Sequence, residues 1–172
     1  TAGGLARSFD GGDSWKNSRV RVDADGVPLP GQISGEWVLS VERQQLPSGS
    51  TVVWAGTDVT QGPGQVAGIN STSDVGQTWR SGGPTFAWDF AFTDDSAVWA
   101  STNDGLFTTA DQGRSWRQVE VTDPDTRNTL RGTFNGLASS LTSEGGETIW
   151  VGAENGIGRS ADGGETWDIL AF

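Results

Sequence analysis

A twelve-residue phrase occurs four times in this chain, and any fold must accommodate it four times over. The copies are Gly4-Leu5-Ala6-Arg7-Ser8-Phe9-Asp10-Gly11-Gly12-Asp13-Ser14-Trp15, then Gly68 to Trp79, Gly105 to Trp116 and Gly156 to Trp167. Their shared pattern is G-(L/I)-x-x-(S/T)-x-D-x-G-x-(S/T)-W. Self-similarity of this kind marks a repeated supersecondary unit.

A second element precedes three of the four copies: Val52 to Thr57, Ala97 to Thr102 and Thr148 to Ala153, each with a Trp at its centre. These runs are β-branched or aromatic and short, as strands are. Further upstream lie Glu36 to Val41, Phe86 to Phe92 and Phe134 to Ser139. In the second of these, Phe86, Trp88, Phe90 and Phe92 share one parity, which puts them on one face of a strand with Ala87, Asp89 and Ala91 on the other. Each unit therefore reads as four strands, and four-stranded antiparallel units repeating along a chain read as β-propeller blades. The expected fold class is all-β: a partial ring of about three and a half blades, as a half-blade over 1–31 and blades over 32–83, 84–131 and 132–172. Such an arc leaves blade faces open, so we expect the remaining blades of a larger propeller, or a partner chain, to complete it. The chain also opens Thr1-Ala2-Gly3-Gly4 without Met, as a processed or excised piece would. The segment Pro28-Leu29-Pro30-Gly31 and the Gly/Pro-rich insertion from Asp58 to Val66 lengthen the spacing between the first two phrases. Insertions in such repeats emerge on one face, often the binding face.

The phrase itself reads as a hairpin turn that ties itself shut. Its Asp (Asp10, Asp74, Asp111, Asp162) accepts from main-chain N–H groups just downstream, as in an Asx turn. The Gly two residues on (Gly12, Gly76, Gly113, Gly164) tolerates positive φ. The Ser or Thr hydroxyl supplies a further local bond. The Trp (Trp15, Trp79, Trp116, Trp167) opens the next strand and buries apolar area. The central Trp54, Trp99 and Trp150 recur once per blade and are expected in the core between blades. A residue needed by every blade is structural before it is functional.

Composition removes chemistry. The 172 residues hold no Cys, His, Met or Tyr. There is no disulfide framework, no thiolate, no zinc-type ligand set and no histidine base. No cofactor is expected. A Ca²⁺ site of Asp and carbonyl oxygens stays open, although each phrase supplies only one invariant carboxylate. The formal net charge of −11 repels phosphate backbones, so nucleic acid is not an expected partner. No apolar stretch is long enough to be a transmembrane helix. Of the 11 cations only Lys16 is a lysine; the arginines are sparse, and Arg7, Arg19, Arg21 and Arg43 are the nearest they come to a cluster.

At these residues the chain resembles the Asp-box, or BNR-repeat, propellers, whose signature is S-x-D-x-G-x-T-W. The form W-(A/V)-G-(T/A) followed by G-(L/I)-x-x-S-x-D-G-G-x-T-W is most similar to photosystem II stability/assembly factors and xyloglucanase-like propellers. Sialidases and the sortilin/Vps10 family also carry the box. The resemblance implies a propeller with the box at its periphery, away from the ligand face. It implies an extracytoplasmic setting, and a protein client recognised without a cofactor, or else a glycan. A sialidase nucleophile is a Tyr, which this chain lacks. A xyloglucanase needs two carboxylates across a cleft, about 6.5–9.5 Å apart for inversion. The candidates are Glu36, Asp89 and Asp125. Glu36 lies beside Trp37 and Asp89 beside Trp88, as an acid beside a sugar-stacking platform would. Trp37 and Trp88 read as one recurring position in two blades, with Asn135 in that place in the third. They are either core or, with Glu36, Asp89, Arg131 and Asn135, the lining of a channel mouth. These six form the candidate ligand-binding set, with no catalytic residue and no metal ligand assigned. Asp123, Asp125 and Arg127 fall in a solvated connecting loop over 121–131. The expected function is a non-catalytic protein-interaction or assembly module; the alternative is a glycoside hydrolase or its carbohydrate-binding portion.

Overall fold

The computed structural model describes residues 3–93, 97–141 and 146–171. The outermost residues of the expected half-blade and last blade lie outside the described residues. All the regular structure described is β, in fourteen short strands. β1 (Leu5–Arg7) and β2 (Lys16–Ser18) form a two-stranded sheet. Three four-stranded antiparallel sheets follow, each a meander of consecutive strands. The first is β3 (Trp37–Gln45), β4 (Thr51–Asp58), β5 (Gly68–Thr72) and β6 (Arg80–Gly82). The second is β7 (Ala87–Phe92), β8 (Val98–Thr102), β9 (Gly105–Thr109) and β10 (Arg117–Val119). The third is β11 (Phe134–Leu141), β12 (Glu147–Ala153), β13 (Gly156–Ser160) and β14 (Asp168–Ala171). These are blades of the β-propeller type. The chain divides into two compact units, one ending at Phe86 and the other beginning at Ala87.

Each copy of the phrase builds the same turn. The first hydroxyl (Ser8, Thr72, Thr109, Ser160) accepts from the N–H of the Gly four residues on, at 2.8, 2.8, 3.1 and 2.8 Å. It donates to Oδ1 of the Asp at 2.7–2.8 Å. That Oδ1 accepts from the N–H of Ser14, Thr78, Ser115 or Thr166 at 2.9–3.0 Å. Oδ2 takes the same residue's hydroxyl at 2.5–2.6 Å. One carboxylate and one hydroxyl thus tie together a turn that lies beyond the strand ladders. These bonds favour the charged form. The hydroxyl of Ser14 holds Asp10 down to about 2, and that of Thr78 does the same for Asp74. Ser115 takes Asp111 lower still. At Asp162 partial burial pulls upward but is outweighed by Thr166 and Ser160, leaving about 2.

The inner strands differ from the alternation the sequence predicts. A β-bulge falls between Ala87 and Asp89, which pair with the consecutive residues Thr102 and Ser101. The extra residue, Trp88, breaks the parity, so Phe86 and Phe90 do not continue one facing row. Equivalent bulges fall between Val38 and Ser40 and between Phe134 and Gly136. Leu39, Trp88 and Asn135 are therefore the structurally matched positions. Trp37 pairs with Asp58, one step before the bulge segment, and is not the counterpart of Trp88.

In the first unit, Ile33, Ala55 and Trp79 form a core cluster with Leu5, Val20 and Val53 against it. In the second, Trp99, Leu106, Leu137, Ile149 and Val151 pack with Trp167. Trp99 and Trp167 meet edge to face, with centroids 6.4 Å apart. Trp54 is buried as expected and donates to Gln44 Oε1 at 2.9 Å. Trp150 is a correction: it is 42% exposed, with Arg159 stacked over its ring at 5.7 Å. Its register matches that of Trp99, but no turn of a following phrase lies on it among the described residues. Trp15 departs in the same way, at 62% exposed, where Trp79 and Trp167 are buried.

Candidate functional site

The antiparallel registers sort each four-stranded blade into two ends. The repeated turns lie at one end. At the other lie the starts of the inner strands, the turns joining second to third strands, and the connections between blades. The sequence-predicted ligand residues fall at this second end, within each unit.

In the first unit, Glu36 is half-buried and tied to the main chain. Its Oε1 accepts from Val20 N–H at 3.1 Å, and its carbonyl accepts from Gly4 N–H at 2.9 Å. This side chain joins the segment after β2 to the start of β3. Trp37 beside it is 48% exposed. The insertion over 58–66 is held by Gln65, whose Oε1 accepts from both Glu36 N–H (3.1 Å) and Thr60 N–H (2.9 Å).

In the second unit, Asp89 is also occupied. Its Oδ1 accepts from Phe90 N–H at 2.9 Å and its Oδ2 from Leu137 N–H at 3.1 Å, so it ties β7 to β11. Trp88, on the bulge, is 38% exposed and donates from Nε1 to Asn103 Oδ1 at 2.8 Å. Asn135 is exposed at the corresponding bulge of β11. Arg131 is exposed, its N–H bonded to Asn155 Oδ1 at 2.8 Å. It lines a groove of about 390 Å³ with Asp104 and Glu120, floored by Leu130 and Phe134. Asp125 lies in a loop closed by Asp123, whose Oδ1 accepts from Asp125 and Thr126 N–H at 2.9 Å. The Thr126 bond, foremost, lowers the Asp123 carboxyl below its usual range. Among the described residues no group of three or more acidic side chains is placed to hold a metal ion.

A second groove, in the first unit, lies elsewhere, beside the second phrase. It has a volume of about 740 Å³ and is lined by Arg7, Lys16, Arg19 and Arg21, by the loop from Leu29 to Gln32, and by the Gly76–Trp79 turn. None of its lining residues is acidic. Four of the chain's 11 cations thus share one surface in a chain of net charge −11. Two are held in place: Arg7 Nη1 donates to Val75 O at 2.7 Å, and Arg19 Nε to Gly3 O at 3.0 Å. Lys16 and Arg21 are exposed and form no side-chain hydrogen bond or ion pair with the described residues. Of the cluster noted in the sequence, Arg43 is not part of this lining; it sits on β3 opposite Val53. Lys16 was missed as a member. Its only signal is that the sole lysine directly follows a phrase Trp.

Comparison with known proteins adds to the fold. No protein-family model matches the chain, and no curated protein does. Among solved structures, a Dyadobacter fermentans protein of unknown function is similar at 14% identity with a TM-score of 0.50, over 96% of this chain and 57% of that one. A structure of YCF48 bound to D1 peptide is similar at 19% identity with a TM-score of 0.47, over 96% of this chain and 47% of that one. The chain thus spans about half the length of the structures it matches.

Proposed function

We propose that this chain is a non-catalytic, extracytoplasmic interaction module whose first unit binds a carboxylate-bearing segment of a protein client. The observation that carries the reading is the groove lined by Arg7, Lys16, Arg19 and Arg21 with no acid among its lining residues. The extracytoplasmic setting rests on the resemblance of the repeated phrase alone.

Charge arithmetic supports an acidic ligand despite the acidic chain. At physiological ionic strength the Debye length is about 8 Å, so the remote carboxylates responsible for the net charge are largely screened. Within the groove, a ligand carboxylate about 4 Å from an exposed cation gains on the order of 1 kcal/mol. The two arginines already pinned by main-chain carbonyls lose little further freedom on binding. Lys16 and Arg21 supply the free charges.

The test is fluorescence anisotropy with a labelled Glu-rich peptide and its Gln-substituted counterpart. The Glu peptide should bind, more weakly as salt rises, and lose at least ~10-fold in affinity to the Lys16→Glu/Arg21→Glu variant. Equal binding of both peptides, or an unaffected variant, would refute the reading.

A second reading, a glycan platform, is favoured by the exposure of Trp37 and Trp88 at the loop-bearing ends of their blades. There Asn135 and Arg131 would donate to sugar hydroxyls. Glu36 and Asp89 would position the strands that carry the two indoles, because their carboxylates already accept main-chain N–H groups. Quenching of Trp fluorescence by xyloglucan oligosaccharides, lost in Trp88→Ala, would support it.

A further inference from the structure

Two contacts show how a repeated turn docks on the blade before it. In the second unit, Trp99 is 3% exposed because the turn of the fourth phrase lies on it. A Cβ on Gly164 would overlap the Trp99 ring, and Trp167 meets that ring edge to face. In the first unit, Arg7 grips the turn of the second phrase. Its Nη1 donates to Val75 O at 2.7 Å, and a Cβ on Gly76 would stand 2.5 Å from the same nitrogen. A docking turn therefore offers three things: a carbonyl at the eighth position of the phrase, a glycine at the ninth and a Trp at the twelfth.

The last blade carries both receptors. Trp150 pairs with the fourth residue of its own phrase, Arg159, as Trp99 pairs with Thr108. Arg159 holds the place in its phrase that Arg7 holds in the first. Yet this face is open: Trp150, Ile157 and Leu170 are all exposed around a shallow cavity of about 340 Å³. Arg159 lies over the exposed Trp150 ring at 5.7 Å and pairs with Asp168 at 3.3 Å between two substantially exposed side chains, contacts weak enough for an incoming turn to displace. The first phrase, for its part, presents the three docking features uncovered. Gly11 supplies the carbonyl position and Gly12 the glycine. Trp15 and Phe9 are both more than 60% exposed. Its turn has the same internal hydrogen bonds as the turns that dock.

We infer that the face around Trp150 and Arg159 is a docking site for the Ser8–Trp15 turn of a second copy of this chain. The incoming Gly11 carbonyl accepts from Arg159, Gly12 clears the Trp150 ring, and Trp15 covers it as Trp167 covers Trp99. The contact is head-to-tail, so association ends at a ring where the rotation closes and continues as a filament where it does not. The inference is independent of the basic groove and its ligand.

Sedimentation velocity from about 5 to 500 µM tests it, a range suited to a contact this small. The wild-type chain should grow in mean mass with concentration. Trp15→Ala removes the turn's Trp and Arg159→Glu removes the receptor; each should weaken association at least ~10-fold. Both side chains are exposed, so far-UV circular dichroism should be unchanged. Leu170→Arg is a second receptor variant should Arg159→Glu not fold. The decisive arm is the mixture of a turn variant with a receptor variant. One retains only the face and the other only the turn, so the pair should form a 1:1 dimer and stop. A wild-type chain monomeric throughout, including one whose own turn covers Trp150, overturns the proposal. So do variants that associate like wild type, or a mixture that stays monomeric.

Discussion

Gly163 and Gly164 are adjacent, both left-handed at φ 73° and 87°, and differ in one respect. A Cβ on Gly163 meets nothing within 4 Å. One on Gly164 overlaps Trp99 Cη2 and stands 3.2 and 3.3 Å from Cζ2 and Cζ3. Alanine at either position incurs about 1–2 kcal/mol for holding an L-residue in the left-handed region. At Gly164 the methyl must also displace a buried indole that is itself wedged against Trp167, and overpacking of that kind costs about 1–3 kcal/mol. Gly163→Ala should therefore cost about 1–2 kcal/mol and Gly164→Ala about 2–5 kcal/mol. Urea unfolding followed by circular dichroism measures both. With m of about 2 kcal/mol/M, the 1–3 kcal/mol difference separates the midpoints by roughly 0.5–1.5 M. Trp99→Phe removes the ring atoms that collide. In that background the cost of Gly164→Ala should fall to that of Gly163→Ala, a coupling visible in a double-mutant cycle. Equal costs for the two glycines in the wild-type background, or no coupling to Trp99, would refute the docking geometry.

Three other outcomes follow from the same coordinates. Asn70 is fully buried; its Oδ1 accepts from Ser34 N–H (2.8 Å) and Ser81 Oγ–H (2.6 Å), and its Nδ2 donates to Thr57 Oγ1 (2.8 Å). Asn70→Ala strands those partners and should cost about 2–4 kcal/mol by urea denaturation. Val75, a β-branched residue at φ 58°, is exposed and contributes to the turn chiefly its carbonyl, so Val75→Gly should stabilise by about 0.5–1 kcal/mol in the same assay. The Asp10, Asp74 and Asp162 carboxyls are held near 2 in the folded chain and titrate at about 3.8 without it. Folded values below unfolded ones mean that the unfolded chain takes up protons first. Their stabilisation is complete above about pH 5 and is lost as pH falls from about 4 through 2. Urea midpoints over this range should drop less steeply for Asp162→Asn than for wild type.

The repeat made the blades legible because its residues are local devices. An Asp with a hydroxyl on either side closes a turn wherever it occurs, and the β-branched runs before it have no alternative to pairing. The pattern still concealed part of the turn. Its eighth position reads as free in sequence, yet Gly11, Val75, Gln112 and Gly163 are all left-handed there. Val and Gln keep that backbone only because the Asp carboxylate fixes both sides of it. The inner strands were less legible for the opposite reason. A bulge carries no residue signature of its own, so the Phe and Trp alternation from Phe86 to Phe92 reads as one continuous face and aligns Trp37 with Trp88 incorrectly.

The candidate site was legible in its residue types and not in their grouping. Arg7, Arg19 and Arg21 stand out in a lysine-poor, acidic chain, but Lys16 and Arg43 change places as members once β2 and β3 are built. Lys16 lies on β2, opposite Arg7 on β1, so a strand pairing rather than sequence proximity makes it part of the groove. The acids show the same dependence on context. Glu36 and Asp89 stand beside Trp37 and Trp88 in the sequence, and in the structure each accepts from a main-chain N–H of another segment, at Val20 and Leu137. A carboxylate in that position fixes where a neighbouring strand starts. Asp89→Ala should therefore loosen the β7–β11 junction by about 1–2 kcal/mol, measured by urea denaturation, whether or not any glycan binds. A variant that lost glycan binding with stability unchanged would instead place Asp89 on the ligand.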